Sequence, residues 1–171
     1  MADPFRLTVL QALTTVIEGV NPDAGFQHDL RGSVFRGRSV YGDNDPLPMV
    51  SILEHPDPPV PADTQSDNPM ATREWHLLVQ GFTKDDMVHP SDASYRLKAE
   101  VETVLSAERT REGGRNPLGL GSVTRRNGSQ VLEMSIGVGT VRPSDEHPSY
   151  FGFFWLPLRL RLVEKLDDPY S

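Results

Sequence analysis

The sequence predicts an α/β (α+β) fold: a twisted, mostly antiparallel sheet of about four to five strands, with two amphipathic helices packed on one face and long loops. Three observations carry this. In Phe153 to Leu166, FFWLPLRLRLVEKL, the residues Phe154, Leu156, Leu158, Leu160 and Leu162 share one side of a period-two pattern, and Trp155, Arg159, Arg161 and Lys165 share the other. In Val131 to Val141, Leu132, Met134, Ile136 and Val138 alternate with Glu133, Ser135, Gly137 and Gly139. A turn-rich link containing Arg142-Pro143-Ser144-Asp145 would join the two as an antiparallel hairpin, whose apolar face needs a cover. Two upstream stretches with apolar residues at helical spacing supply that cover.

The first stretch starts at Asp3 and Pro4, which suit an N-cap and a first helical residue. Phe5, Val9, Ala12, Leu13, Val16 and Ile17 then make one apolar side, and Gly19 is a natural stop. Gln27 to Tyr41 mixes apolar residues with Arg31, Arg36 and Arg38 around Gly32 and Gly37, and reads as an irregular or bulged strand at a sheet edge. If that segment is extended, Arg36 and Arg38 share a face. Met49 to Leu53 is a short buried strand, with Val50 and Ile52 opposite Met49, Ser51 and Leu53. Residues 55–72, loaded with prolines and with Asp57, Asp63 and Asp67, read as an acidic surface loop. Glu74 to Thr83, EWHLLVQGFT, is apolar on both faces and therefore central. The second helix begins around His89-Pro90-Ser91-Asp92 and runs an apolar stripe through Ala93, Leu97, Val101, Val104 and Leu105. Residues 107–128, with Arg109, Arg111, Arg115, Arg125 and Arg126 among glycines, read as a basic loop or extended arm.

The 171 residues and 37% hydrophobic content suit one domain, 1–171, with a real core. Apolar runs are too short and interrupted to span a bilayer, and Met1-Ala2-Asp3-Pro4 lacks the basic start of a secretory signal. The expectation is a soluble, cytosolic chain. The absence of cysteine excludes disulfides, thiolate metal sites and cysteine nucleophiles. A net charge of -7 argues against a general polyanion binder, though a local basic patch is compatible with it.

No catalytic signature stands out. His28, His55, His76, His89 and His147 are scattered singly, with no HxH, HxxxH or HExxH spacing to place two on one helix or strand face. Neither GxSxG nor a phosphate-loop pattern occurs, and the pairs Asp85-Asp86 and Asp167-Asp168 fall at element ends where turns explain them. The expectation is therefore no cofactor, no metal and no enzymatic activity. The arginines are the more informative set. Arg159 and Arg161 leave the last strand on the side of Trp155, opposite the leucines, where a solvated outer face competes with an interface in which planar guanidinium groups meet a neighbour's carboxylates. Trp155 is either the large aromatic anchor of such an interface or a core residue under another element.

Taken in order, the N-terminal amphipathic helix, VFRGR (Val34 to Arg38), LPMVSILE (Leu47 to Glu54), WHLLVQGF (Trp75 to Phe82), HPSDASYRLKAEVETVL (His89 to Leu105) and the closing hairpin resemble the tail terminator, or tail completion, proteins of long-tailed bacteriophages with the lambda-type fold. The likeness lies in the order of fragments over most of the chain. The stretches from His55 to Thr72 and from Arg109 to Gly128 are longer than a minimal member carries. What the resemblance implies is a virion protein assembled in the host cytoplasm, forming a homohexameric ring on the head-proximal end of the tail tube. Its partners would be copies of itself, the tail tube protein and the head–tail connector. DNA would pass through the lumen without specific binding, and no membrane would be involved. A ring needs heterologous contacts, for which Arg36, Arg38, Asp57, Asp63, Asp67, Arg109, Arg111, Arg115, Arg125, Arg126, Trp155, Arg159 and Arg161 are the candidate interface residues. The competing reading is a nucleic-acid-binding module that uses the basic glycine-rich arm on phosphates. A hydrolase with a loop-borne His/Asp metal site ranks third.

Overall fold

The computed structural model describes residues 3–39, 41–42, 44–55, 69–84, 88–121, 128–142 and 151–170. Among these residues, two α-helices and a six-stranded, mostly antiparallel open sheet form the framework, one strand more than the upper count expected. Helix α1 spans Phe5–Glu18 and α2 spans Asp92–Thr110. The strands are β1 (Val34–Arg36), β2 (Met49–Glu54), β3 (Met70–Lys84), β4 (Gln130–Ile136), β5 (Thr140–Arg142) and β6 (Phe151–Lys165). Their order is β1-β2-β3-β6-β4, with β5 following β4 along the same edge of β6, and β1 joins β2 as the parallel pair.

The long antiparallel pair β3 and β6 is the spine. It runs in unbroken register from Met70 opposite Lys165 to Lys84 opposite Phe151. Along β6 the predicted alternation holds: Phe154, Leu156, Leu158, Leu160 and Leu162 are buried, and Trp155, Pro157, Arg159 and Arg161 are exposed. Each such burial contributes about 2 kcal/mol gross, before the entropy of ordering the chain is set against it. Trp75, Leu77 and Val79 of β3 join the same core, as do Phe5, Val9, Leu13 and Ile17 of α1 and Leu97, Val101 and Leu105 of α2. Both helices therefore cover one face, as expected. Arg6 ties α1 to the spine with a bidentate pair to Glu164 at 2.8 Å and lies 5.0 Å from the centre of the Trp75 ring. Among the described residues, Trp75 Nε1 is buried with no hydrogen-bond partner.

Several local expectations are corrected. Asp3 does not cap α1: its carboxylate accepts from Gln11 Nε2 at 2.8 Å, and Pro4 stands at the cap. The strand expected from Val131 to Val141 is two strands: one extra residue bulges at Leu132 within β4, and a second irregularity around Gly137 breaks the chain before β5. Proline explains the second break. Pro157 aims its carbonyl at this edge, accepting from Gly137 N–H at 2.8 Å, and has no N–H to return. The bulge changes the face only before it, so Val131 takes the buried place expected for Leu132, which is exposed, while Met134 is buried and Ile136 packs against the core as predicted; Val138, beyond the break, is 92% exposed. The expected basic arm is folded as far as it is described. Residues 107–110 finish α2, and 111–121 form two 3-10 turns that bury Leu118 in the core. Glycines at positive φ, including Gly113, Gly114 and Gly119, let this stretch turn back on itself.

Candidate interaction surface

With both helices on the even-numbered side of β6, the other side of the sheet is left bare by every described helix. The strand register fixes its layout. One row across it reads Phe35, Ser51, Gln80, Trp155 and Thr140; the adjacent row reads Met49, Phe82, Phe153 and Arg142. These rows make one end of the face aromatic. Ring centres lie 4.3 Å apart for Tyr41 and Phe82, 6.3 Å for Phe82 and Phe153, and 5.4 Å for Phe153 and Trp155. Trp155 is 37% exposed, a large apolar surface for a residue in the middle of a sheet.

Two arginines frame the rings. The Arg142 guanidinium sits 5.8 Å from the Trp155 ring centre and has no carboxylate partner among the described residues. Arg38 lies 4.6 Å from the Phe35 ring centre and 5.8 Å from that of Tyr41, and is ion-paired to Asp45. Its carbonyl accepts from Tyr41 Oη at 2.6 Å and Ser51 Oγ at 2.7 Å, so this loop is fastened to the sheet. Burial pushes the Tyr41 hydroxyl above its usual range. The Asp45 carboxyl is held below the usual carboxylate range by the Gly42 amide and then by the Arg38 guanidinium.

Toward the end of β6 the same face becomes charged. His76, Arg159 and Ser135 form one row, and Glu74, Arg161 and Glu133 the next. Arg159 is shared between Glu74 at 3.5 Å and Glu133 at 3.6 Å, whereas Arg161 has no ion partner among the described residues. His55, His76, Ser135, Pro157 and Arg159 line a shallow hollow of about 320 Å³ between the two ends. Among the described residues no three His, Asp or Glu side chains converge to hold a metal ion.

The structure thus groups Arg38, Trp155, Arg159 and Arg161 on one face and separates others from them. Arg36 lies on the helix side, 3.3 Å from Thr14 Oγ1 of α1, because Gly37 at φ 69° turns the chain before Arg38. The shared face expected for Arg36 and Arg38 required an extended segment, and the glycine ends it. Arg111 is paired with Glu108 at 3.2 Å and packs its guanidinium against Gly119, while Arg109 and Arg115 are both exposed, without ion partners among the described residues. Asp57, Asp63, Asp67, Arg125 and Arg126 lie outside the described residues. Sequence reasoning missed Tyr41, Phe82, Phe153 and Arg142. Phe153 shares the parity of Trp155, and Phe82 is opposite in parity to Trp75, Leu77 and Val79, so two of the four carried a readable signal.

The edges of the sheet are less inviting than its face. Edge strand β1 has three residues. The outer edge of β4 bulges at Leu132, and its Val131 N–H is taken by the Leu120 carbonyl at 2.9 Å. Short, bulged and covered edges resist strand addition. Among the described residues no helix is long and apolar enough to cross a membrane.

No family model matches the chain, and no curated protein matches it. Among solved structures, a chain of the virion of a native gene transfer agent (GTA) particle is similar at 15% sequence identity and a TM-score of 0.47, over 94% of this chain and 95% of that one.

Proposed function

We propose that this protein is a non-enzymatic structural component of a virion: a ring subunit at the head-proximal end of a phage tail tube that ends tube polymerisation and provides the joint to the head connector. The observation that carries the reading is the sheet face opposite the helices, where Phe82, Phe153 and Trp155 of the two longest strands stack with Tyr41 and are flanked by Arg38 and Arg142. Aromatic residues and arginine are the groups that dominate protein–protein contacts, and the blunted edges direct association to this face. The order of sequence fragments, which resembles that of tail terminators, supports a ring at that place. In this reading six copies close through heterologous contacts, one ring surface meets the tube protein, the other meets the connector, and DNA passes the lumen unbound.

The test is negative-stain imaging of the purified chain mixed with purified tail tubes, alongside its sedimentation in solution. Rings seated at one end of each tube are expected; no ring and no end binding at assembly concentrations overturns the proposal. Monomers in free solution alone do not, because closure on the tube is part of the reading. Salt-dependent binding to duplex DNA would instead favour a phosphate-contacting module.

A further inference from the structure

We infer that β3 receives an extended, acidic strand of a different polypeptide, added antiparallel along residues 72–74. This goes beyond the ring reading and does not rest on it. The outermost strands β1 and β4 are blunted, but β3 has a stretch of edge of its own. It is fifteen residues long, and β2 beside it has six. The β2–β3 register ends with Glu54 opposite Leu77, and one further bond runs from His55 N–H to the His76 carbonyl at 3.0 Å. Past that bond, no strand among the described residues pairs with β3 on this side.

Two bonds fix which way the backbone points. Leu166 N–H donates to the Pro69 carbonyl at 2.9 Å on the β6 side, so odd-numbered residues of β3 bond to β6, and even-numbered ones, like His76, bond away from it. Thr72 and Glu74, both exposed, therefore aim N–H and C=O at the open edge, where no described residue meets them. Such an unpaired row is a template for a further strand. The chain's own continuation is ill suited to fill it. Pro56, Pro58, Pro59 and Pro61 follow His55, and a proline has no N–H to give a ladder.

Charge selects the occupant. Arg73 shares the parity of Trp75 and is exposed, without an ion partner among the described residues, whereas Arg6 beside Trp75 is already paired with Glu164. Residues directly opposite in an antiparallel ladder share a side, so the entering strand carries a carboxylate opposite Arg73. The same edge of a second copy fails this requirement. Pairing Thr72 of each copy with Glu74 of the other sets Arg73 against Arg73, and like charges directly opposite destabilise a ladder.

The experiment follows amide hydrogen exchange by NMR in the intact chain, with the end-capped peptide Thr-Val-Thr-Glu-Thr-Val as the probe, its glutamate opposite Arg73. At millimolar peptide the Thr72 and Glu74 amides are expected to slow by about twofold or more, the factor 1 + [L]/Kd at half occupancy. Methylating the two probe nitrogens that face the edge, or replacing the glutamate with lysine, is expected to abolish the slowing, and Arg73→Glu to reverse the preference between glutamate and lysine. Thr72→Pro removes an edge-facing N–H and no bond to β6, so it is expected to abolish the effect while exchange at the odd-numbered amides of β3 stays as in the parent. The inference is overturned if the peptide slows neither amide, if the methylated or lysine peptide acts equally well, or if the two amides slow in the chain alone as its concentration rises, which would make the occupant a copy. The ring reading stands under each of these results.

Discussion

Gly81 lies toward the C-terminal end of β3, opposite Phe154 of β6 and Val50 of β2, and has no room for a side chain. A methyl group added there would meet the Phe154 ring at 2.1, 2.5 and 2.9 Å, far inside contact distance. Phe154 is fully buried, so its ring has no solvent to swing into. The aromatic ring in effect occupies the side-chain space of the glycine. Gly81→Ala must either tilt that ring off its rotamer or spread the strands, and overpacking of this kind costs about 2 to 3 kcal/mol. In a chain of this size that lowers Tm by roughly 4 to 10 °C. Urea denaturation followed by circular dichroism measures it directly, with Phe154→Leu and the double variant completing the cycle. The double variant is expected to be more stable than the sum of the single effects, because the smaller side chain vacates the space. A Gly81→Ala protein within about 0.5 kcal/mol of the parent, or strictly additive effects, would refute the steric argument.

Three further outcomes follow from other contacts. Ser94→Ala removes the buried partner of Thr83, 2.8 Å away, and is expected to cost about 1 to 2 kcal/mol by leaving a hydroxyl unsatisfied; adding Thr83→Val should recover part of it in the same denaturation assay. Glu112, at φ 52°, holds a left-handed conformation on an exposed turn, so Glu112→Gly is expected to raise stability by up to about 1 kcal/mol despite losing its contact with Asn116. Asp45 has its pKa lowered in the folded state from an ordinary 3.8, so its contribution is present above that value and is lost as pH falls through the lower folded one. Denaturation midpoints measured from acid to neutral pH should therefore drop less steeply below about pH 4 in Asp45→Asn than in the parent.

The parts of the fold legible in the sequence are those where one periodicity runs without interruption. β6 announces itself because its side chains alternate against a helix layer on one face, β3 because it is apolar on both faces and so central, and the apolar stripes of α1 and α2 are continuous. Legibility fails where a single residue changes the count. The extra residue at Leu132 puts Val131 in the core in its place, and the missing donor of Pro157 divides one expected strand into β4 and β5. The glycines after Arg111 suggested an arm, yet the left-handed turns they permit fold Leu118 into the core, a long-range contact that composition does not encode. Of the surface, Trp155, Arg159 and Arg161 were readable from parity alone. Tyr41 was not, since it reaches Phe82 only because the chain turns at Gly37 and is fastened through the Arg38 carbonyl.

The most direct measurement of the central claim is a tube-growth assay: purified tail tube protein polymerised with and without this chain, with tube lengths scored by electron microscopy. Substoichiometric amounts of the chain are expected to stop elongation and leave a ring on the arrested end, and Trp155→Ala should need far more protein for the same arrest. Tubes that lengthen at an unchanged rate, with bare ends, would contradict the account.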